Sequence, residues 1–331
     1  MKACWCLFFV YLFKGQMIAC SQAEGVLVLA RKSAFDQNYG WFKGNLHTHS
    51  TQSDGRLDPA EVARLYQEQG WNFLALTDHD FYSNWQELNG DEFLIIPGIE
   101  LGCGLSKFGC HHIVGIHKDG QGAHHLKKSK EYPLKDRAGA QSIIDDLTAD
   151  NYLSIYCHPD WSRVEWDDIK DIHGFVAMEI YNHGCALEDH TGLGVWQWDS
   201  FLRRGIKVWG VATDDAHHRL EDRCGGWICV NAPSLTIKDI TDAIIAGRFY
   251  SSSGPEIMDF SLDGDRVFVE CSPAKAIHFV AYEERGKSFF PAAGDTLSIA
   301  SHQLGGKEKY VRVEVVGADG GVAWTNPIFL K

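Results

Sequence analysis

The chain has 331 residues and a formal net charge of −13, and these values restrict the class of protein. The length is too great for one small domain and suits a barrel of ~250 residues with an appendage. Hydrophobic residues make up 45% of the sequence and charged residues 23%, as in soluble globular proteins. The acidic charge argues against a nucleic-acid groove, because binding a phosphate backbone needs a positive field.

The first 40 residues are expected to be a lead-in with a hydrophobic N-terminal segment. The apolar run 3–13 has the shape of a short signal-peptide region and is too short to span a bilayer. An upstream extension, with Met17 as the start, is the alternative interpretation. Residues 26–29 predict a short strand in this lead-in.

The ten cysteines bear on the compartment. They include no Cys-x-x-Cys pair, so a zinc ribbon is not expected. Most lie in strand-like segments as free thiols, which are typical of a reducing compartment. We therefore expect a cytoplasmic protein without a stable membrane span. If residues 1–20 act as a signal segment, the protein would instead be exported or lipid-anchored.

The first chemically distinctive stretch is the strand-like segment 45–49. Residues i and i+2 of a strand face the same way, so His47 and His49 would point together at its end. Asp54 follows His49 five residues later. Two polar strand residues facing solvent would give the same pattern. Further ligand-type residues at the ends of later strands would indicate a metal site instead.

Helix and strand signals alternate from this point to Gly247, in about seven β/α units typical of a barrel. Asp58 as N-cap, Pro59 in the first turn and Glu61 as capping-box partner predict a helix that ends at Gly70. Further strands are predicted at 72–77, 93–96, 112–116, 153–156, 175–181, 207–212 and 226–230, and further helices at 138–148, 189–203 and 237–246.

The polar stretch 118–137 lacks periodicity. Loops of this length in a compact domain are usually functional or mobile. His124 and His125 lie in it and could belong to a lid, although simple solvent exposure explains them as well.

After Gly247 the pattern changes to short alternating strands separated by turns. We therefore predict a barrel domain over residues 41–247 and a small all-β, sandwich-like domain over residues 248–331. No ligand cluster falls in the second domain, whose role could be oligomer contact, barrel cover or substrate shaping. Its strands are predicted at 256–262, 267–271, 277–282, 310–316, 322–324 and 328–330.

Nearly every strand before Gly247 delivers a histidine, aspartate or glutamate close to its end. Nine such ligands are too many for one tetrahedral ion and suggest two or three divalent metal ions. Imidazole and carboxylate ligands suit Zn, Mn, Fe or a mixture of them. The nine residues are His47, His49, Asp54, His79, Glu100, His112, His158, Asp215 and His217.

Six motifs contain these residues: His47-Thr48-His49 with Ser53-Asp54-Gly55, Leu76-Thr77-Asp78-His79-Asp80, Pro97-Gly98-Ile99-Glu100, His112-Ile113-Val114-Gly115, His158-Pro159 and Asp215-Ala216-His217. Together they resemble the PHP family, named for its polymerase and histidinol-phosphatase members, over residues 41–231. Members of that family are distorted (β/α)7 barrels with two or three metals at the strand C-termini. Residues 323–328 resemble the branch with a C-terminal β domain that includes carbaryl-hydrolase-like metallohydrolases.

The resemblance implies three metal sites and makes Glu100, Asp215 and His217 the expected catalytic residues. Glu100 would bridge the first two sites. An aspartate at position 54, where many histidinol phosphatases have histidine, favours the smaller phosphoesterase branch. The implied sites are His47, His49, Glu100 and Asp215; Glu100, His112 and His158; and Asp54, His79 and His217.

Three of these assignments have a neighbouring alternative in the sequence. The His-Ile-Val-Gly match favours His112 over His111. The Asp-x-His spacing favours Asp215 with His217 over the residues beside them, Asp214 and His218.

The predicted function is metal-dependent hydrolysis of a small phosphomonoester, resembling a nucleotide or sugar phosphate, with a hydroxide bridging two metals as nucleophile. Hydrolysis of a carbamate, ester or amide by the same centre is the alternative. A non-catalytic metal-binding module is a third and weaker interpretation.

A small phosphorylated substrate would need cationic partners besides the metals. Arg56 and Arg163 are the first candidates, and Arg223 and Lys43 are further ones. His183 ends a strand and could contact substrate, or could hydrogen-bond a metal ligand instead. An oligomer through the β domain is the remaining expected partner.

Overall fold

The computed structural model describes residues 31–121 and 134–330. The apolar run 3–13, the predicted strand 26–29 and the histidines at 124 and 125 lie outside the described residues. Within the described ranges, residues up to Ala246 contain strands and helices, and the residues after it contain strands without a helix.

The first part begins with two strands and then places helices among the strands without strict alternation. A short 3₁₀ turn, Gln86–Leu88, lies between the third and fourth strands. The elements are β1 Lys32–Ser33, β2 Gly40–Asn45, α1 Pro59–Glu68, β3 Phe73–Leu76, β4 Leu94–Gly104, β5 Cys110–His117, α2 Asp136–Ala149, β6 Tyr152–Tyr156, α3 Trp166–Ile169, β7 Ala177–Asn182, α4 His183–Asp189, α5 Val195–Leu202, β8 Trp209–Thr213, β9 Trp227–Ala232 and α6 Ile237–Ala246.

The second part adds nine strands, three of which the sequence pattern missed. The missed strands are β10, β14 and β15. The elements are β10 Phe249–Ser252, β11 Ile257–Asp263, β12 Arg266–Ala274, β13 Ala276–Ala281, β14 Lys287–Phe289, β15 Leu297–Gln303, β16 Tyr310–Val316, β17 Val322–Thr325 and β18 Ile328–Phe329.

Helix α1 confirms the signals read from its sequence. The Asp58 carboxylate accepts a hydrogen bond from the Glu61 backbone N–H at 2.9 Å, and the Glu61 carboxylate accepts one from the Asp58 N–H at 3.4 Å. Two N–H groups that would otherwise lack a partner are thereby satisfied. Helix α6 ends at Gly247, which adopts φ +76 as a helix-terminating glycine does.

The single helix predicted at 189–203 is wrong, because the chain forms α4 and α5 with a break between them. His190 adopts φ +66 and ends α4. Gly194, at the start of α5, lies so close to the Glu179 carbonyl that an added Cβ would be 2.3 Å from that oxygen. The sequence contains Gly192 and Gly194 at this break. These two glycines indicate a helix boundary, which the helical periodicity of the surrounding residues hid.

Within the described residues, fourteen strands form one sheet: thirteen follow the order β14-β13-β16-β17-β10-β9-β2-β3-β4-β5-β6-β7-β8, and β18 pairs with β16. Pairs β2–β3, β3–β4, β6–β7 and β7–β8 are parallel. Strands β4 and β5 are antiparallel and joined by a short hairpin, so no helix separates them as the predicted β/α alternation requires. These pairings confirm a mixed α/β fold.

The pairings trace an open path within the described residues, not a closed ring of strands. An isolated parallel bridge joins Thr48, after β2, to Ala216, after β8. The two ends of the run β2–β8 therefore meet just beyond the strands. Closure into a barrel stays a prediction.

The strands after Gly247 are divided between two sheets. Strands β1, β11, β12 and β15 form a separate four-stranded sheet, while β10, β13, β14 and β16–β18 extend the large one. A buried apolar cluster that includes Phe260, Val269 and Val313 contains side chains from both sheets. A further cluster places Ile240 and Ile244 of α6 with residues of the large sheet. Among the described residues, no helix has both the length and the hydropathy needed to cross a membrane.

Candidate metal centre

The nine sequence-predicted ligands approach one another at one end of the strands. His47 and His49 follow β2, His79 follows β3, and Glu100 lies within β4. His112 lies on β5, paired opposite Gly102 of β4. Asp54 follows β2, and His158 follows β6. Asp215 and His217 both follow β8. They line or adjoin a single cavity of about 260 Å³.

Four ligand atoms form the tightest group, and it is the predicted first site. His47 Nε2 and His49 Nε2 are 3.2 Å apart. Each lies 3.0–3.2 Å from Glu100 Oε2 and from Asp215 Oδ1. Ligands bound to one ion at about 2.0–2.2 Å are separated by roughly 3.0–3.5 Å. The four atoms are therefore spaced as ligands of one ion.

Glu100 presents its two oxygens to different histidines. Oε2 faces His47 and His49, and His79 Nδ1 lies 3.1 Å from it. Oε1 lies 2.9 Å from His112 Nδ1 and 3.5 Å from His158 Nε2. A carboxylate with one oxygen toward each set has the geometry of a bridge between two ions.

The same carboxylate provides a test of whether metal fits. Both Glu100 oxygens are buried and accept no hydrogen bond of normal geometry, although histidine nitrogens surround them. A buried carboxylate without partners is costly. Divalent ions between these oxygens and the imidazoles would satisfy both, so the residues fit a metal centre.

The predicted third site lies nearer to solvent. His217 Nε2 is 3.3 Å from Asp54 Oδ2, and His79 Nε2 is 3.9 Å from Asp54 Oδ1. His49 Nδ1, on the far side of its ring from the first group, is also 3.9 Å from Asp54 Oδ1. The Asp54 side chain is 41% exposed, compared with 1% for Glu100. The cluster therefore runs from a buried interior to an open mouth.

The carboxylates and imidazoles shift one another's pKa values. Burial alone would lower the pKa of His49, but its contacts with Asp215 and Glu100 raise that pKa to about 9. Burial would raise the pKa of Glu100, yet His47 and His112 hold it well below its usual range. Without metal, protons on His47, His49 and His112 balance the buried carboxylates, because the pKa of each of these three imidazoles is raised.

Glu179 is a supporting residue that the sequence reasoning missed. Its Oε1 accepts hydrogen bonds from His47 Nδ1 and Thr213 Oγ1, both at 2.7 Å. Its Oε2 accepts from the His158 backbone N–H at 2.7 Å and from Asn182 Nδ2 at 2.9 Å. The bond to His47 Nδ1 leaves Nε2 free to bind metal and fixes the ring orientation. The available signal was a single glutamate inside an otherwise apolar strand.

The three register alternatives are separated in space. Asp214 accepts hydrogen bonds from Tyr66 and from the backbone of Gly225 and Gly226, whereas Asp215 lines the cavity. His111 is hydrogen-bonded to Tyr156, on the strand face opposite His112. In the third pair, His217 is the residue favoured over His218, and it lines the cavity next to Asp54.

The predicted substrate residues do not line the cavity. Arg56 is exposed, Arg163 pairs with Asp189 at 3.3 Å, and His183 Nδ1 contacts the Tyr181 hydroxyl at 3.0 Å. Their role in substrate binding stays a prediction. The lining residues that are not predicted ligands include Trp161, Cys185, Glu188, Arg219, Leu220 and Asp222.

No family model matches the chain. The chain is 40% identical over 83 residues to a 5′-3′ exoribonuclease of Haemophilus influenzae and 44% identical over 43 residues to the DNA polymerase/3′-5′ exonuclease PolX of Bacillus subtilis. It is also 34% identical over 70 residues to an uncharacterized protein of Methanocaldococcus jannaschii. These matches cover 23%, 13% and 17% of this chain and 29%, 8% and 32% of the relatives. The chain thus spans less than a third of the length of each relative.

Two solved structures share limited similarity with the chain. One, from Bacteroides vulgatus, is a two-domain protein described as containing a predicted PHP-like metal-dependent phosphoesterase; the TM-score is 0.46 at 16% identity, over 94% of this chain and 100% of that one. The other is an amidohydrolase from Chromobacterium violaceum, with a TM-score of 0.39 at 16% identity, over 53% of this chain and 87% of that one. These neighbours are thus a PHP-like metal-dependent phosphoesterase and an amidohydrolase. The narrower likeness to the carbaryl-hydrolase-like branch stays a prediction.

Proposed function

We propose that this chain is a PHP-family metal-dependent hydrolase, built on a distorted barrel, that cleaves a small phosphomonoester. One observation carries the proposal: the buried Glu100 carboxylate turns one oxygen toward His47 and His49 and the other toward His112 and His158. With that arrangement Glu100 would be shared by two ions, which would supply the two-metal chemistry of many phosphate-ester hydrolases.

The residues that would hold the ions are the nine predicted ligands, with Glu100 shared. When bound, such ions supply a nucleophile from water at neutral pH and neutralise charge on the phosphate oxygens. Glu179 holds the His47 ring through Nδ1, and Asp215 contacts His49 Nε2 at 3.0 Å. His217 Nδ1 contacts the Asp215 backbone carbonyl at 2.9 Å, which directs its Nε2 toward Asp54 at the cavity mouth.

A small anionic substrate is supported by the cavity itself. Its volume of about 260 Å³ is just below the range of about 300–1,000 Å³ that accommodates drug-sized ligands. Arg219 lines the cavity and places Nη2 3.0 Å from Asp54 Oδ2. Its guanidinium therefore lies at the cavity mouth, where it would bind a phosphate oxygen of the substrate. The presence of an exoribonuclease and an exonuclease among the relatives also supports phosphoester chemistry.

The decisive experiment combines metal analysis with a substrate panel. The purified protein, loaded separately with Mn and with Zn, is assayed against phosphomonoesters and against aryl carbamates. Turnover of phosphomonoesters supports the proposal, whereas turnover of carbamates alone would replace it with the carbonyl-directed alternative. Less than about one equivalent of bound metal would favour a non-catalytic module.

Glu100→Ala tests the bridging role directly. We expect activity to be lost and bound metal to fall by more than one ion per chain, because one side chain would serve two ions. The control is Glu92→Ala, which changes an exposed glutamate. Full activity in the Glu100 variant would contradict the assignment.

A further inference from the structure

An indole ring forms part of the cavity wall beside the predicted second metal site. Trp161 is half-buried and lines the cavity. Its ring centroid lies 5.1 Å from that of His158 and 6.4 Å from that of His112. Both of these imidazoles face Glu100 Oε1. The indole therefore lies next to the imidazoles of the predicted second metal site, where the phosphate of a substrate would bind.

A tight turn holds the backbone that carries this indole. The Ser162 N–H donates to the His158 carbonyl at 3.0 Å, and the Val164 N–H donates to the Pro159 carbonyl at 2.9 Å. The Ser162 hydroxyl also contacts His158 Nδ1 at 3.1 Å. The turn that fixes His158 thus also fixes the backbone of Trp161, whose ring contacts the imidazoles of His158 and His112. A positioned backbone reduces the conformational freedom that is lost when a ligand binds.

The rest of the lining makes this wall chemically distinct. Arg219, Glu188 and Asp222 provide charged groups, while Leu220 and Trp161 provide large apolar surfaces. A substrate with only a phosphate and hydroxyl groups would leave the indole face covered by water. A planar apolar ring would cover it and gain stacking as well as burial.

We propose that Trp161 selects phosphomonoesters whose organic part is a planar aromatic ring, which stacks on the indole while the phosphate faces the ligand cluster. This inference rests on the proposed phosphoesterase function. It makes Trp161 a substrate-positioning residue that sets specificity without touching the reacting atoms.

The test compares two esters that differ only in ring planarity: benzyl phosphate and cyclohexylmethyl phosphate. Both leave as primary alcohols of similar size, so leaving-group chemistry contributes little to the difference. We expect the metal-loaded protein to prefer the benzyl ester by roughly 2- to 10-fold in kcat/KM, the worth of one aromatic contact. In Trp161→Leu that ratio should fall to about one through a higher KM for the benzyl ester, and in Trp161→Phe it should persist.

A matched control is Trp196→Leu, which removes a half-exposed tryptophan from α5, away from the cavity lining. Its ester preference should equal that of the unchanged protein. Thermal unfolding of each variant shows whether Trp161→Leu has lost its fold. In that case Trp161→Met, a larger non-aromatic replacement, takes its place, and an unchanged benzyl preference in that variant would overturn the inference.

Binding of benzylphosphonate and of cyclohexylmethylphosphonate, measured by calorimetry, separates failure of this inference from failure of the proposed function. If neither ester is hydrolysed but the benzyl compound binds more tightly and loses that advantage in Trp161→Leu, the function is wrong and the aromatic subsite stands. If the unchanged protein shows no benzyl preference in turnover or binding, or if Trp161→Leu weakens both compounds equally, the inference is overturned.

Discussion

Glu100 and Glu179 are both buried carboxylates beside His47, yet only Glu100 could be found from the sequence. Glu100 ends a Pro-Gly-Ile-Glu motif at the close of a predicted strand, where ligands are expected. Glu179 lies inside β7, and its hydrogen bonds reach His47, His158 and Thr213 on other segments. A local pattern cannot show which donors the fold brings to a lone buried glutamate.

Glu179→Gln should weaken metal binding while leaving every predicted ligand in place. The amide offers one acceptor oxygen where the carboxylate offers two, so two of its four donors would lose their partner. We expect a loss in metal affinity of roughly 10- to 100-fold, measured by competition with a chelator. Glu92→Gln, on the surface, is the matched control, and an unchanged affinity in the Glu179 variant would refute the positioning role.

Proton release on metal binding follows from the raised pKa of His49. In the metal-free protein this pKa is about 9, against an ordinary value of 6.5, so the ring is charged at pH 7. Its pairing with Asp215 and Glu100 stabilises the metal-free fold below pH 6.5, and this contribution is lost as the pH rises through 9. Metal affinity should therefore increase from pH 7 to 9, with proton uptake by buffer measurable by calorimetry. Binding heats that do not depend on the buffer would contradict this.

The β4–β5 hairpin illustrates which properties of an element the sequence predicts and which it does not. Alternating apolar segments predicted both strands, but not their antiparallel pairing, because the side-chain pattern of a buried strand is the same in either direction. The register of this pairing determines which residues of the two strands lie opposite each other. Gly102 lies opposite His112, and Gly104 lies opposite Cys110. The predicted ligand His112 is thus supported by its partner strand.

Gly102→Ala should displace His112, because an added Cβ would lie 2.7 Å from the Cδ2 atom of its ring. We expect bound metal to fall by about one ion and activity to drop, with the fold retained. Gly104→Ala in the same strand meets nothing within 4 Å and serves as the control. Metal analysis and circular dichroism of both variants provide the comparison, and equal metal content in the two would rule out this role for Gly102.

At the scale of the whole molecule, the strands after Gly247 share a sheet with the metal-binding part. Strand β10 pairs with β9, and β9 pairs with β2, which leads to His47. The change in sequence pattern at Gly247 was visible, but pairing across it depends on contacts between distant segments. The same holds for Arg312 of β16, a buried charge that donates to Asp199 of α5 at 3.0 Å.

Arg312→Ala should destabilise the fold as a whole. The guanidinium is 1% exposed, contacts Asp199 and Glu314, and lies 4.8 Å from the Trp198 ring. Removing it leaves a cavity and two carboxylates without their partner, though both are partly hydrated. We expect a loss of about 3 kcal/mol in the free energy of unfolding, measured by urea denaturation, with metal stoichiometry unchanged in the folded protein. A loss below about 1 kcal/mol would show that solvent replaces the pairing.

The position of β10 has a consequence for how this protein can vary. By lying along β9, β10 covers backbone groups that would otherwise form an open edge one strand away from β2. An open edge of that kind recruits strands from other molecules. Substitutions that loosen the strands after Gly247 should therefore lower solubility before they alter the ligand cluster.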